Sequence, residues 1–116
     1  MTSRQRIAGD SAEDQVLDYM IRQGLTLVTR NYSCRAGEID LIMKDGAQLV
    51  FLEVRYRARA EFGSALESVT PTKQRKLIVT AQRYLQQLGE IPACRFDVVG
   101  MGKDRQIHWI KDAFQT

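Results

Sequence analysis

Apolar residues recur along this chain with two different periods. Ala12, Val16, Leu17, Met20 and Ile21 fall at helical spacing, and Gly24 closes that segment. Ser11 reads as its N-cap, with Asp14 at the capping-box position, so residues 1 to 9 read as a short flexible basic arm ahead of the fold. Leu25 to Cys34 reads as a first strand, ending at the polar Arg35-Ala36-Gly37. Two apolar segments follow, Gly37-Glu38-Ile39-Asp40-Leu41-Ile42 and Leu49-Val50-Phe51-Leu52-Glu53-Val54-Arg55, rich enough in Ile, Leu, Val and Phe to be interior strands. After a loop from Ala58 to Val69, Thr70 caps a second helix with Pro71 as its first residue. Leu77, Ile78, Ala81, Tyr84, Leu85 and Leu88 form its apolar face, and Gly89 stops it. Cys94 to Met101 and Gln106 to Ile110 read as the last two strands. Residues 10 to 116 therefore form a single α/β domain: three layers, with a mixed central sheet of about five strands flanked by two main helices.

The acids inside the apolar segments change the picture. An ionised carboxylate in an interior strand is costly unless something positive pairs with it. Asp45-Gly46 between the segments signals a two-residue hairpin turn. That turn makes Lys44 face Ala47, so that Asp40 faces Phe51 and Glu38 faces Glu53. Asp40 and Glu53 then share one face as diagonal neighbours, with Cβ atoms less than about 7–8 Å apart. Two carboxylates so placed can converge on one divalent cation. The competing explanation is structural, an ion-pair network with Arg35, Arg55, Arg57 and Arg59. Against it, Glu38 opposite Glu53 is a like-charge pair that needs a cation between its members. Buried ion pairs also rarely stabilise better than a well-packed apolar core.

Two further groups join the acids. A helical wheel puts Glu13 in the middle of the first helix's apolar face, whereas Asp14 points outward as an acid favoured by the helix dipole does. On the second helix Lys73, Lys76, Thr80 and Arg83 form a stripe beside the apolar face, with Gln74 turned further inward. Such a stripe is either a solvated flank or, beside carboxylates, a track for a phosphate backbone. Asp97 alternates inward in Arg95-Phe96-Asp97-Val98-Val99, where an ion pair with a neighbouring arginine, or orientation of the acid site, would satisfy it.

Composition narrows the choice of partner. Twelve of the seventeen basic residues are arginine and the net charge is +3, which favours a polyanionic partner. No apolar run approaches a membrane span, no secretory signal follows the N-terminal charges, and Cys34 and Cys94 are isolated. The expectation is a cytoplasmic protein with reduced thiols and no membrane partner. His108, the lone histidine, excludes a His-rich zinc site and is taken as structural.

An acid on the first helix, an Asp on one strand and Glu-X-basic on the next resemble the pattern of the PD-(D/E)XK, restriction-endonuclease-like nucleases. A closer resemblance is to the YraN-like family of small bacterial proteins, similar to Holliday-junction resolvases. It is carried by Asn31-Tyr32, Gly37-Glu38-Ile39-Asp40-Leu41-Ile42, Phe51-Leu52-Glu53-Val54-Arg55, Thr72-Lys73-Gln74, Cys94-Arg95-Phe96-Asp97-Val98-Val99 and the ending Trp109-Ile110-Lys111-Asp112-Ala113-Phe114. The resemblance implies a restriction-endonuclease-like fold and an Mg²⁺- or Mn²⁺-dependent nuclease acting on DNA, with branched or structured DNA as the expected substrate. A homodimer is the corresponding expectation, because resolvases work as pairs of active sites. By position, Asp40, Glu53 and the Val54 carbonyl would hold the metal, Glu13 would reach it directly or through water, and Arg55 would complete the catalytic set. Lys73, Gln74, Lys76, Arg57 and Arg83 would contact the nucleic acid. One departure matters. The superfamily signature has lysine where this chain has Arg55, and arginine cannot lose its proton to act as a base.

Overall fold

The apolar periods of the sequence fold into one five-stranded sheet with a helix on each face. The structure is a computed structural model that describes residues 4–57 and 65–115. Helix α1 spans Arg4–Arg22 and α2 spans Pro71–Leu88; the strands are β1 (Thr26–Cys34), β2 (Gly37–Asp45), β3 (Gln48–Arg57), β4 (Cys94–Gly102) and β5 (Ile107–Phe114). The strands lie in sequence order, with β3 and β4 parallel and the other neighbours antiparallel. A parallel pair needs a long crossover, and α2 with the short 3₁₀ turn Leu66–Ser68 provides it. The sheet is thus mixed, and the architecture is the expected three-layer α/β.

Alternation along the strands divides the core between the two faces. Val16 and Met20 of α1 pack on Leu41, Met43, Val50, Leu52 and Val99. Leu77 and Ala81 of α2 pack on Ile39, Ile42, Phe51, Phe96 and Val98. Covered on both faces, β3 is buried from Leu49 to Leu52, which is why it reads as an unbroken apolar run. The ends of α2 follow their local chemistry. The Thr70 side chain accepts from the Lys73 N–H, Pro71 occupies the first turn, and Gly89 takes the left-handed φ of 79°.

Three expectations need correction. The first helix does not start at Ser11: α1 begins at Arg4, so Ser11 lies inside it and residues 4 to 9 are helix rather than a flexible arm. Arg4-Gln5-Arg6 are good helix formers with no proline nearby, and a Ser or Asp within a helix costs only tenths of a kcal/mol or about 0.5. Residues 1–3 of that arm, and 58–64 of the loop before α2, lie outside the described residues. The last strand is also longer than expected, reaching Phe114.

The third correction concerns the hairpin. Asp45 pairs with Gln48, so the turn is Gly46-Ala47 rather than Asp45-Gly46. Gly46 adopts a φ of 63° at the first central position, where a primed turn favours glycine. The register therefore moves by two residues, Ile42 rather than Asp40 faces Phe51, and each side chain keeps its sheet face. Among the described residues no helix is long and apolar enough to cross a membrane.

Candidate functional site

Regular pairing of β2 with β3 ends at Leu41 and Leu52. One step further, the register would set Asp40 level with Glu53, not diagonal to it, and Glu38 no longer opposite Glu53. The strands part there. The Val54 N–H, released from the ladder, donates to Asp40 Oδ2 at 2.8 Å. Asp40 and Glu53 line one cleft of about 270 Å³ on the α2 face, together with Gly37, Glu38, Lys73 and Lys76. Glu38 belongs to this cleft too, although the sequence presented it only as a charge neighbour.

The electrostatics of the pair are those of acids without enough positive charge. Burial pushes the Asp40 carboxyl up to about 8, and the adjacent Glu53 charge pushes in the same direction. The Val54 hydrogen bond opposes both, while the bond that protonated Asp40 donates to Glu53 and the Glu38 charge add to the rise. Near neutral pH a proton therefore sits between the two carboxyls, where a cation could sit instead. Among the described residues Asp40 has no ion-pair partner, and Glu53 has Arg55 at the long distance of 3.5 Å.

Arg55 is held beside the acids from the far side. Its Nε donates to Ser68 Oγ at 3.0 Å, and that hydroxyl donates to the Ala65 carbonyl at 2.5 Å. The 3₁₀ turn carrying Ser68 rests on β4 at Gly100, where a Cβ would come within 2.6 Å of the Ala65 Cβ. Gly100 thus lets the turn approach closely enough to hold Arg55.

The remaining predicted site residues divide. Lys73 and Lys76 line the cleft from α2. Gln74 instead donates to the Val69 carbonyl at 3.0 Å and ties down the helix start. Arg83 is exposed further along α2, close enough to Cys34 to act electrostatically on its thiol. Thr80 is not on a solvated stripe. It is fully buried with its hydroxyl on the Lys76 carbonyl, because the β2 backbone at Gly37 packs against that side of α2. The Arg57 side chain lies outside the described residues.

Glu13 turns inward as the wheel predicts but is not among the residues lining the cleft. Arg30 on β1 lies 3.4 Å from its carboxylate and 2.8 Å from Asp14. With its amide nitrogen turned toward Glu13, Asn31 donates to both carboxylate oxygens at 3.2 Å. Asn31 holds a left-handed φ of 53° within a strand, a conformation that asparagine tolerates better than most residues.

Asp97 lies on the opposite face of the sheet, so it does not orient the cleft acids. The expected arginine pair is present: Arg95 Nε donates to both Asp97 oxygens, at 3.0 and 3.2 Å. Trp109 Nε1 and the Asp112 N–H add bonds of 2.8 and 2.9 Å. No sequence signal pointed to Trp109 or Asp112 as partners, since both arrive from β5.

The donor set can be tested against a metal. Among the described residues no three or more His, Cys, Asp or Glu side chains gather closely enough to hold an ion. A structural zinc or a full calcium cage therefore does not fit. Two carboxylates and a backbone carbonyl do fit Mg²⁺ or Mn²⁺, hard ions that keep several waters and take further oxygens from a phosphate.

A mixed sheet between two helices, with an acid pair where two strands part and lysines across the cleft, defines a small α/β domain built around a paired-carboxylate site. The chain belongs to the uncharacterised protein family UPF0102, whose model matches residues 12–101; this is the YraN-like family that the sequence motifs resemble. The UPF0102 protein of Nitrosococcus oceani is 50% identical over 116 residues, covering 96% of this chain and 94% of the relative. That of Methylobacillus flagellatus is 51% identical over 110 residues, with 93% and 96% covered. A UPF0102 protein of Coxiella burnetii is 49% identical over 110 residues, with 93% and 92% covered.

Proposed function

We propose that this protein is a metal-dependent nuclease hydrolysing phosphodiester bonds of DNA, with branched or otherwise structured DNA as its substrate. The observation that supports the reading is the meeting of Asp40 and Glu53 in one cleft with Lys73 and Lys76, with no guanidinium among the described residues between the acids. Asp40 and Glu53, with the Val54 carbonyl, would hold Mg²⁺ or Mn²⁺. Bound there, the ion would polarise the scissile phosphate and lower the pKa of the attacking water.

The chain's own residues do the rest. Lys73 and Lys76 draw the phosphate backbone into the cleft and position it. Arg55, fixed by Ser68, donates to phosphate oxygens where negative charge develops. Because its guanidinium stays protonated, the water's proton passes to a carboxylate of the cleft. A homodimer, favoured by the resemblance to resolvases with paired active sites, completes the proposal, and sedimentation velocity would measure it.

The test is cleavage of single-stranded, duplex, flapped and four-way DNA in Mg²⁺ and Mn²⁺. The expected result is Mn²⁺-dependent cutting that Asp40→Ala abolishes in a protein that still melts cooperatively. A wild-type protein that leaves every substrate intact overturns the reading.

One observation favours a second reading, a nucleic-acid-binding module without turnover. The arginine at position 55 binds phosphate well and can take no proton. Such a module binds DNA equally in Mn²⁺ and in EDTA and cuts neither sample.

A further inference from the structure

On the α1 face, beyond the acid cleft, a second cavity of about 200 Å³ opens among Ala12, Gln15, Tyr56, Met101, Lys103 and Arg105. Its lining is unlike that of the first. Among the described residues it holds no carboxylate, and neither Lys103 nor Arg105 forms an ion pair. Tyr56 is 52% exposed, although β3 is buried from Leu49 to Leu52. The cavity combines an open aromatic ring, two uncommitted cations and a small apolar floor.

The cations are presented by a built turn rather than by loose chain. The Gly102 N–H donates to the Gln106 carbonyl at 3.1 Å, and the Arg105 N–H donates to the Gly102 carbonyl at 2.9 Å. The Asp104 carboxylate is turned back onto the Gln106 N–H at 3.1 Å, away from any role as a partner for the two cations. Arg105 itself sits at a φ of 66°, where glycine or asparagine is at ease and arginine is strained. A strained backbone carrying a long cation into a cavity is the kind of outlier that points to a use for the side chain.

Position supplies the rest. Tyr56 lies three residues past Glu53 on β3, so it is on the other face of the sheet and roughly 10 Å along the strand. The cavity therefore sits around the carboxyl end of the parallel β3–β4 pair, where open α/β sheets commonly bind ligands. An aromatic face beside paired cations is the chemistry that holds an unpaired base and its phosphate.

We infer that this cavity is a binding site for single-stranded nucleic acid, in which a base stacks on Tyr56 and the adjoining phosphate meets Lys103 and Arg105. The inference rests on the proposed function only for the polymer's passage between the two sites; the site itself binds whether or not the cleft cuts. It makes the substrate one with an unpaired strand next to the scissile bond, as at a flap or an open junction.

Fluorescence anisotropy in EDTA tests it, using a labelled oligothymidylate, a blunt duplex and AMP as probes. Wild-type protein is expected to bind the single strand more tightly than the duplex, and AMP far more weakly than either. Tyr56→Ala should weaken single-strand binding about tenfold and leave duplex binding unchanged, while Tyr56→Phe, which keeps the stacking face, restores it. Arg105→Gly relieves the strained φ, so it should fold at least as well, yet lower the salt slope of single-strand binding by about 0.7. Equal binding by Tyr56→Ala, no recovery in Tyr56→Phe, an unchanged salt slope in Arg105→Gly, no preference for the single strand, or AMP binding as tight as the oligomer would each overturn the inference. Failure of DNA cleavage alongside these expected binding results would remove the nuclease reading and leave the single-strand site standing.

Discussion

Two acid sites, one buried and one half-buried, occupy opposite faces of the same sheet, and they are satisfied to very different degrees. Asp97, 1% exposed, receives hydrogen bonds from Arg95, Trp109 and the Asp112 backbone. Arg95 extends the network to Asp45 at 3.0 Å and Gln48 at 2.8 Å, so the hairpin end, β4 and β5 are tied through one carboxylate. Asp40 receives one backbone N–H and otherwise faces another acid. The first arrangement holds the domain together. The second is a poor way to do so, and it becomes favourable only when a cation enters. A buried acid surrounded by donors is structural, whereas a half-buried acid pair short of donors beside an open cleft is available for chemistry.

The largest effect that separates the two belongs to the structural site. Asp97→Ala strips Arg95, its side chain only 10% exposed, of its buried partner and leaves it only the more exposed Asp45, and should cost about 3–5 kcal/mol in urea denaturation. A loss below about 1 kcal/mol would mean that Asp97 is as dispensable to the fold as the cleft acids are expected to be.

Asp40 should behave in the opposite sense. Its folded-state pKa lies above the ordinary carboxylate value, so the folded protein holds the proton more tightly than the unfolded chain does. That acid favours folding at pH values below its unfolded pKa. The contribution is lost progressively as pH rises from about 4 to about 8 and stays lost above that window. Asp40→Asn removes the titration and retains an acceptor for the Val54 N–H. It should therefore stabilise the protein by about 1–3 kcal/mol near pH 9 and change it little near pH 4. Melting curves across that range check the sign. An Asp40→Asn protein less stable than wild type at high pH would place Asp40 in the same structural class as Asp97.

Much of this comparison was legible in the sequence because its causes are local. Thr70-Pro71 and Gly89 bound α2 by capping chemistry, and the acids in β2 and β3 stood out against apolar neighbours. The hairpin register was misplaced by two residues because Asp45-Gly46 and Gly46-Ala47 are both workable turns. A shift of two preserves side-chain faces, so the acids still shared one side. The start of α1 was hidden because a polar helix segment leaves no apolar period to read. What sequence could not supply was partnership across the fold. That Asp97 meets Trp109, that Thr80 is buried against Gly37, and that Asn31 turns to Glu13 all depend on which strands become neighbours.

Titration calorimetry with Mn²⁺, run on wild type, Asp40→Asn and Glu53→Gln at about pH 6 and about pH 8.5, tests most directly whether the cleft acids are a metal centre. The account predicts one ion per chain in the wild type, bound more tightly at the higher pH because ligands must shed their proton, with affinity down at least about 100-fold in either variant. Wild-type protein that takes up no Mn²⁺ at either pH, or variants that bind it as well as wild type does, would contradict the account.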